Sequence, residues 1–286
     1  MQNIPYCDII RQKNSIYIFK ENFMHSLFGT KHLILVAISL VLVAVGFVFS
    51  RKLKFSRMAR IMLYIGIVSE IIKIFYYVIQ NEDTHGGTLP KTDLPFHLCS
   101  IQILFIVALN FSKNEKLKTF LTSFMMPSCL IGGLAALLIA TDSSRNGLWI
   151  ITAQYFIYHV AIMVFALYLA FNKEHAPTLN GYFSCLKMLL IIMFFAIYIN
   201  SMLYDGVSNI NFMYVVGPPQ DGLPFLNDNN GWFSYIVRYA ALIIVCVTLF
   251  YIKPIVLAIK GAIENRSSKG KDTIFAVEEI KEEATK

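Results

Sequence analysis

The sequence predicts an all-α membrane protein, a seven-transmembrane-helix bundle with its N-terminus outside and its C-terminus in the cytoplasm. Three observations carry this. Apolar residues make up 56% of the 286-residue chain and charged residues only 15%, more apolar surface than a water-soluble domain of this length needs. The apolar residues cluster in runs with few charges, each near the roughly 18 to 20 residues that cross a bilayer as a helix. Basic residues gather on alternate connections. Hydrocarbon offers no water to backbone groups, so each crossing must be helical.

The runs are His32–Ser50, Met58–Gln80, Leu94–Phe111, Leu117–Ala140, Leu148–Phe171, Cys185–Tyr204 and Trp232–Val256. Residues 1–31 precede them as an outer segment too polar for a secretory signal peptide. Ile16, Phe19, Phe23 and Leu27 recur there at helical spacing, as in a short helix lying on the outer surface. Residues 32–256 form the membrane domain and 257–286 a charged cytoplasmic tail. The connection after the second run contains "HGG" and "LPKTD", which are turn and cap signals. Asp205–Gly231 is the longest loop, has no Lys or Arg, and carries the rigid pair Pro218 and Pro219. A loop of that length without regular structure is often functional.

Charge sets the orientation. Arg51, Lys52, Lys54, Arg57 and Arg60 lie on one connection, Lys113, Lys116 and Lys118 on another of the same side, with Lys173, Lys187 and the basic residues from Lys253 onward. The other side holds fewer: Arg11, Lys13, Lys20, Lys31, Lys91, Arg145 and Arg238. The richer side is cytoplasmic by the positive-inside rule. This distribution accounts for the net charge of +7 without nucleic acid, and the expected partners are membrane lipids. The five cysteines are scattered and contain no CxxC, so neither a disulfide framework nor a zinc site is read, and no cofactor is called for.

Polar side chains are costly in lipid, so those within the runs should face the bundle or a water-filled cavity. Glu70 and Lys73 are three apart and share a face, either as an internal ion pair or as charges lining a substrate site. The third run opens with His97, Cys99 and Gln102. Positions two apart point about 200° from each other, so His97 and Cys99 are not a ready pair, whereas Cys99 shares its face with Gln102. Asp93 and Pro95 mark the start of this helix, which puts Cys99 about a turn and a half inside it. A base for Cys99 must then come from another helix, and the helix dipole should lower the thiol pKa only in part.

In "QYFIYH", Gln154 and Tyr158 are four apart, as are Tyr155 and His159, giving one polar and aromatic stripe that should face inward. Asn200 closes the sixth run, and Asn211 and Tyr214 follow in the loop. Trp232, Tyr235 and Arg238 open the seventh run, the aromatics as an interfacial belt and Arg238 snorkelling to the headgroups. Topology gathers His97, Cys99, Gln102, Gln154, Tyr155, Asn200 and Arg238 in the outer half, with Glu70, Tyr158 and His159 near the midplane. The expectation is a polar cavity opening outward, with Asp205–Gly231 as its lid.

The motifs "LPFHLCSI", "GGLAALLIATD", "QYFIYH", "NFMYVVGPP" and "GWFSYI" occur in order. As an ordered set over roughly residues 30–255 they resemble the YwaF-like family of bacterial integral membrane proteins. That family is related to a eukaryotic multi-pass acyltransferase, which moves acyl chains onto ether lysophospholipids with a cysteine. The resemblance implies a bacterial cytoplasmic membrane protein with Cys99 as nucleophile and His159 as base. Gly217 departs from the lysine in the family's usual segment.

Two functional readings follow. In an acyltransferase, Cys99 attacks a phospholipid ester and His159 is the acid/base. Gln102, Asn200 or Gln154 would stabilise the oxyanion, and Arg238 or Lys73 would hold the phosphate. In a transporter or binding protein, Glu70, Lys73, His159 and Arg238 would bind a solute or relay protons. The chain shows no internal repeat of the kind many transporters carry.

Overall fold

A computed structural model describes residues 28–80, 89–141, 144–145, 147–172, 175–218, 226 and 231–264. The expected N-terminal surface helix and most of the charged tail lie outside them. Among the described residues these α-helices run in order: α1 Thr30–Ser50, α2 Phe55–Gln80, α3 Leu98–Phe111, α4 Glu115–Leu138, α5 Trp149–Phe171, α6 Leu179–Leu203 and α7 Trp232–Phe250. After a break at Tyr251 a further helix, α8, covers 252–264. No strand occurs among the described residues.

Among the described residues six helices are long and apolar enough to cross a membrane: α1, α2, α4, α5, α6 and α7. Their exposed apolar side chains, such as Leu33, Phe49, Phe194 and Leu249, are suited to contact lipid. The third run behaves differently. Pro95 disfavours helical backbone at Leu94, and His97 is an extended N-cap with ψ 154°. The helix therefore starts at Leu98, four residues later than the apolar run. At 1.5 Å per residue, α3 is about 21 Å long, shorter than the roughly 30 Å hydrocarbon layer. Cys99 is thus the second helical residue, not a turn and a half inside.

Other boundaries have local causes. α4 begins where the Asn114 side chain accepts the Leu117 N–H at 3.2 Å. α6 begins at Leu179, before the expected Cys185, because Thr178 accepts the Gly181 N–H at 3.0 Å.

α5 is the central helix, packed against α1, α2 and α4, while α4 in turn packs α3, α6 and α7. Glycines allow close approach: a methyl on Gly46 would lie 2.8 Å from Val164 Cγ2, and one on Gly66 3.1 Å from Ile103 Cγ1. The carbonyls near the α4 C-terminus lack helical partners. Tyr155 donates to Ala136 O at 2.8 Å, and His32 Nε2 contacts Leu137 O at the same distance.

Pro127 within α4 has no N–H, so the Ser123 carbonyl four residues earlier loses its helical donor. The fully buried Tyr251 hydroxyl donates to that carbonyl at 2.7 Å, tying the end of α7 to the middle of α4. Tyr251→Phe should leave the carbonyl unpaired and cost about 1–3 kcal/mol. Thermal unfolding of the detergent-solubilised protein checks this, and an unchanged midpoint would refute it.

Antiparallel helices of equal rise keep a fixed register. Between α2 and α3, Asn110 Nδ2 donates to Ala59 O at 3.0 Å, and Gly66 faces Ile103. In both pairs the residue numbers add to 169. Between α3 and α4, Gly132 faces Leu98, and Gln102 donates to Ser128 Oγ at 3.0 Å.

Candidate functional site

The polar residues gather at one end of the bundle, where α2 and α6 finish and α3, α5 and α7 begin. Continuing the α2–α3 register by one turn beyond Gly66 and Ile103 brings Glu70 level with Cys99. Glu70 and Lys73 form the ion pair read as one alternative from their spacing. Lys73 Nζ lies 2.8 Å from Glu70 Oε2 and 3.0 Å from Oε1, with both side chains less than one-fifth exposed. The Lys73 charge is within electrostatic reach of Asp93, His97 and Cys99, and Glu70 is within reach of Cys99.

The stripe on α5 faces inward as expected, but its members reach different neighbours. Gln154 donates to Ser69 on α2 at 2.6 Å. Tyr155 donates to α4, and Tyr158 to the Cys99 carbonyl on α3 at 2.8 Å. His159 Nδ1 lies 2.7 Å from Tyr155 O. A carbonyl only accepts, so Nδ1 carries the proton and Nε2 keeps its lone pair. Nε2 is buried without a partner among the described residues. The His159 backbone lies against Gly133 of α4, and no hydrogen bond joins His159 to Cys99 among the described residues. The resemblance offered both residues as nucleophile and base; the fold does not bond them together. Gln102 is fully buried, its amide nitrogen donating to Ser128 and its Oε1 without a partner among the described residues.

The described part of the loop, residues 205–218, folds over the start of α3. The His97 ring packs against Phe212 and Tyr214, at centroid distances of 5.1 and 5.7 Å. Met213 and Tyr214 adopt left-handed backbone, with φ 56° and 54°, unusual for side chains of this size. A set of side chains holds this turn. Asn200 donates to Phe212 O at 3.0 Å and accepts the Phe212 N–H at 2.8 Å. Asn211 spans the loop by donating to Gly217 O and accepting the Val216 N–H. Tyr235 donates to Tyr214 O, Tyr239 to Met213 O, and Trp232 to Val215 O. Asn200 and Asn211, expected against substrate, thus brace the loop. Trp232 and Tyr235, expected as interfacial aromatics, do so too. Sequence reasoning missed Tyr239, which no local motif marks. Arg238 is half-buried on α7, its Nε donating to Ser234 O at 3.2 Å.

An open polar cavity was expected here, but the polar groups are largely bonded to one another and to backbone. Unpaired polar groups away from water are costly. A groove of about 410 Å³ at this end is apolar, lined by Ile72, Phe75, Ile79 and Leu148. Helical spacing puts those α2 residues on the face away from Glu70 and Lys73.

Outside the helices, burial pushes the Asp93 carboxyl up, opposed by Lys73 and by hydrogen bonds from Thr92 and Tyr77. Burial also raises the Tyr214 phenol. Asp205 is the reverse case. Lys91 at 2.8 Å, with the Ser208 and Val207 N–H groups, holds its carboxyl far below the usual range. Its contribution is complete above the ordinary carboxylate value of about 3.9 and is lost only as pH falls through the lowered one. The Lys91–Asp205 clasp should therefore be insensitive to pH between about 5 and 8, while Asp205→Asn weakens it throughout. Limited proteolysis of the loop measures both; a wild-type loop that opens toward pH 5 would contradict this.

Fold and site together define a multi-pass helical membrane protein with a capped polar cluster at one end. The chain belongs to the TMEM164 family, a transmembrane family whose model matches residues 27–251. No curated protein and no solved structure matches it.

Proposed function

We propose that the protein transfers acyl chains between phospholipids and lysophospholipids within the membrane, with Cys99 as nucleophile. The observation that carries this reading is the start of α3 at Leu98. It puts Cys99 in the first helical turn, where backbone N–H groups have no helical acceptor and the positive helix end favours both a thiolate and an oxyanion. Gln102 lies one turn further along the same face. The positive-inside pattern and the resemblance to YwaF-like proteins support a lid end facing outward from a bacterial cytoplasmic membrane. In that arrangement α3 and the segment before it complete a seventh crossing.

The chemistry has two halves. The thiolate attacks the ester carbonyl of a donor phospholipid, and the tetrahedral intermediate collapses to a Cys99 thioester. The departing lysolipid oxygen takes up the proton that the thiol released. A hydroxyl of an acceptor lysolipid then gives its proton to the base and attacks the thioester, and the thiolate leaves. His159 is not bonded to Cys99, so the base is left open at this step.

The test is lipid exchange in liposomes holding the purified protein, labelled diacyl phospholipid and mixed lysolipids. Label should appear in newly formed diacyl lipid. No transfer by protein confirmed as folded would sink the enzyme reading and favour a solute site built on Glu70, Lys73, His159 and Arg238.

A further inference from the structure

The Glu70–Lys73 pair has a second use. We infer that Glu70 takes the proton of the Cys99 thiol and that Lys73 then pairs with the thiolate, so that one partly buried ion pair is exchanged for another. The inference rests on the reading of Cys99 as nucleophile and assigns the base which that reading leaves open.

Geometry comes first. Two independent contacts, Ala59 with Asn110 and Gly66 with Ile103, fix the register of α2 against α3, and the next turn faces Glu70 toward the level of Cys99. At helical spacing Gly66, Glu70 and Lys73 share the face of α2 that packs α3. Tyr77, one turn further on that face, hydrogen-bonds Asp93 just before α3, so the seam continues to the end of the helix. On the α5 side, Tyr158 holds the Cys99 carbonyl. The cysteine thus lies between a tyrosine that anchors its backbone and an ion pair whose carboxylate residue is level with it in the helix register.

Charge conservation supplies the reason. Creating a lone thiolate away from water is costly. Here the reactants are a neutral thiol and a carboxylate–ammonium pair, and the products are a neutral carboxylic acid and a thiolate–ammonium pair. The number of charges is unchanged, no bond other than S–H is broken, and the proton remains on Glu70 for delivery to the departing lysolipid oxygen. The N-terminal end of α3 adds its dipole on the thiolate side. Gln102 Oε1, one turn from Cys99, is fully buried and has no partner among the described residues. His159, whose contacts run to Tyr155 and α4, is not required for the first proton transfer.

The experiment reads the thiolate without any lipid chemistry. Wild-type protein in liposomes at pH 7 is treated with iodoacetamide, and alkylation of the Cys99 peptide is followed by mass spectrometry. Glu70→Gln and Lys73→Met should each slow alkylation by about tenfold or more, as expected when the thiolate fraction falls. Glu70→Asp, which keeps the carboxylate, should recover part of the rate. A single substitution leaves one buried charge unpaired and can unfold the protein, so the deciding variant is Glu70→Gln with Lys73→Met, which removes both charges. A double variant alkylated within about twofold of wild type overturns the inference, as does a wild type no faster than the double variant. Lipid exchange in the same liposomes separates the two ideas. Transfer that needs Cys99 but survives the double substitution keeps the acyltransferase and discards the ion-pair exchange. Fast alkylation that depends on Glu70, with no transfer, does the opposite.

Discussion

Cys99→Ala should abolish lipid exchange while leaving the fold intact. Loss of a covalent nucleophile removes the path through the thioester, and the expected fall is at least about 10⁴-fold. The structural cost is small, because only a sulfur is removed from a half-buried position and the Tyr158 hydrogen bond goes to the backbone carbonyl, which alanine retains. Cys99→Ser should be equally inactive, since a hydroxyl is far less acidic than a thiol. Cys246→Ala, on α7, should exchange lipid at the wild-type rate. Mass spectrometry adds a positive result: brief exposure to labelled donor without acceptor should leave an acyl group on the Cys99 peptide. Retained transfer in folded Cys99→Ala would end the assignment, and an acyl group on another cysteine would move it.

The second large effect concerns the loop after α6. Asn200 is buried on α6, and its side chain makes three hydrogen bonds, to Ala196 O, Phe212 O and the Phe212 N–H. Asn200→Leu keeps the branching of the side chain and removes all three. The Phe212 backbone then loses both of its side-chain partners beneath the loop, at a cost of about 2–5 kcal/mol. The left-handed turn at Met213 and Tyr214 is strained and needs this bracing, so the loop should detach from His97. The expected result is a lower unfolding midpoint in detergent together with faster proteolysis within residues 205–218. Tyr235→Phe leaves the Asn200 bonds in place and should have a smaller effect. An Asn200→Leu protein as stable and protease-resistant as wild type would show that the aromatic contacts hold the loop by themselves.

Much of the protein was legible in the order of its residues. Run length and the scarcity of charge identify membrane helices, because a bilayer imposes one length scale on every crossing. Helical spacing predicted the shared face of Glu70 and Lys73 and the inward stripe from Gln154 to His159, since both depend only on 3.6 residues per turn. The start of α3 was misjudged by four residues. Apolar character continues from Leu94, but the backbone around Pro95 is not helical, and hydropathy does not register that difference.

What lies between helices belongs to the tertiary structure. The tyrosine that completes Pro127's interrupted helix is 124 residues away, at Tyr251. The bond from Tyr158 to Cys99, the loop held by Asn200 and Tyr239, and the register that sets Glu70 level with Cys99 all join distant parts of the chain. The sequence by itself determined a helical membrane bundle and the polar residues it must shelter, because bilayer thickness and helical pitch act on each segment locally. Which of those residues meet was decided by close packing, since the small glycine faces and the buried polar groups admit few ways for the helices to slide past one another.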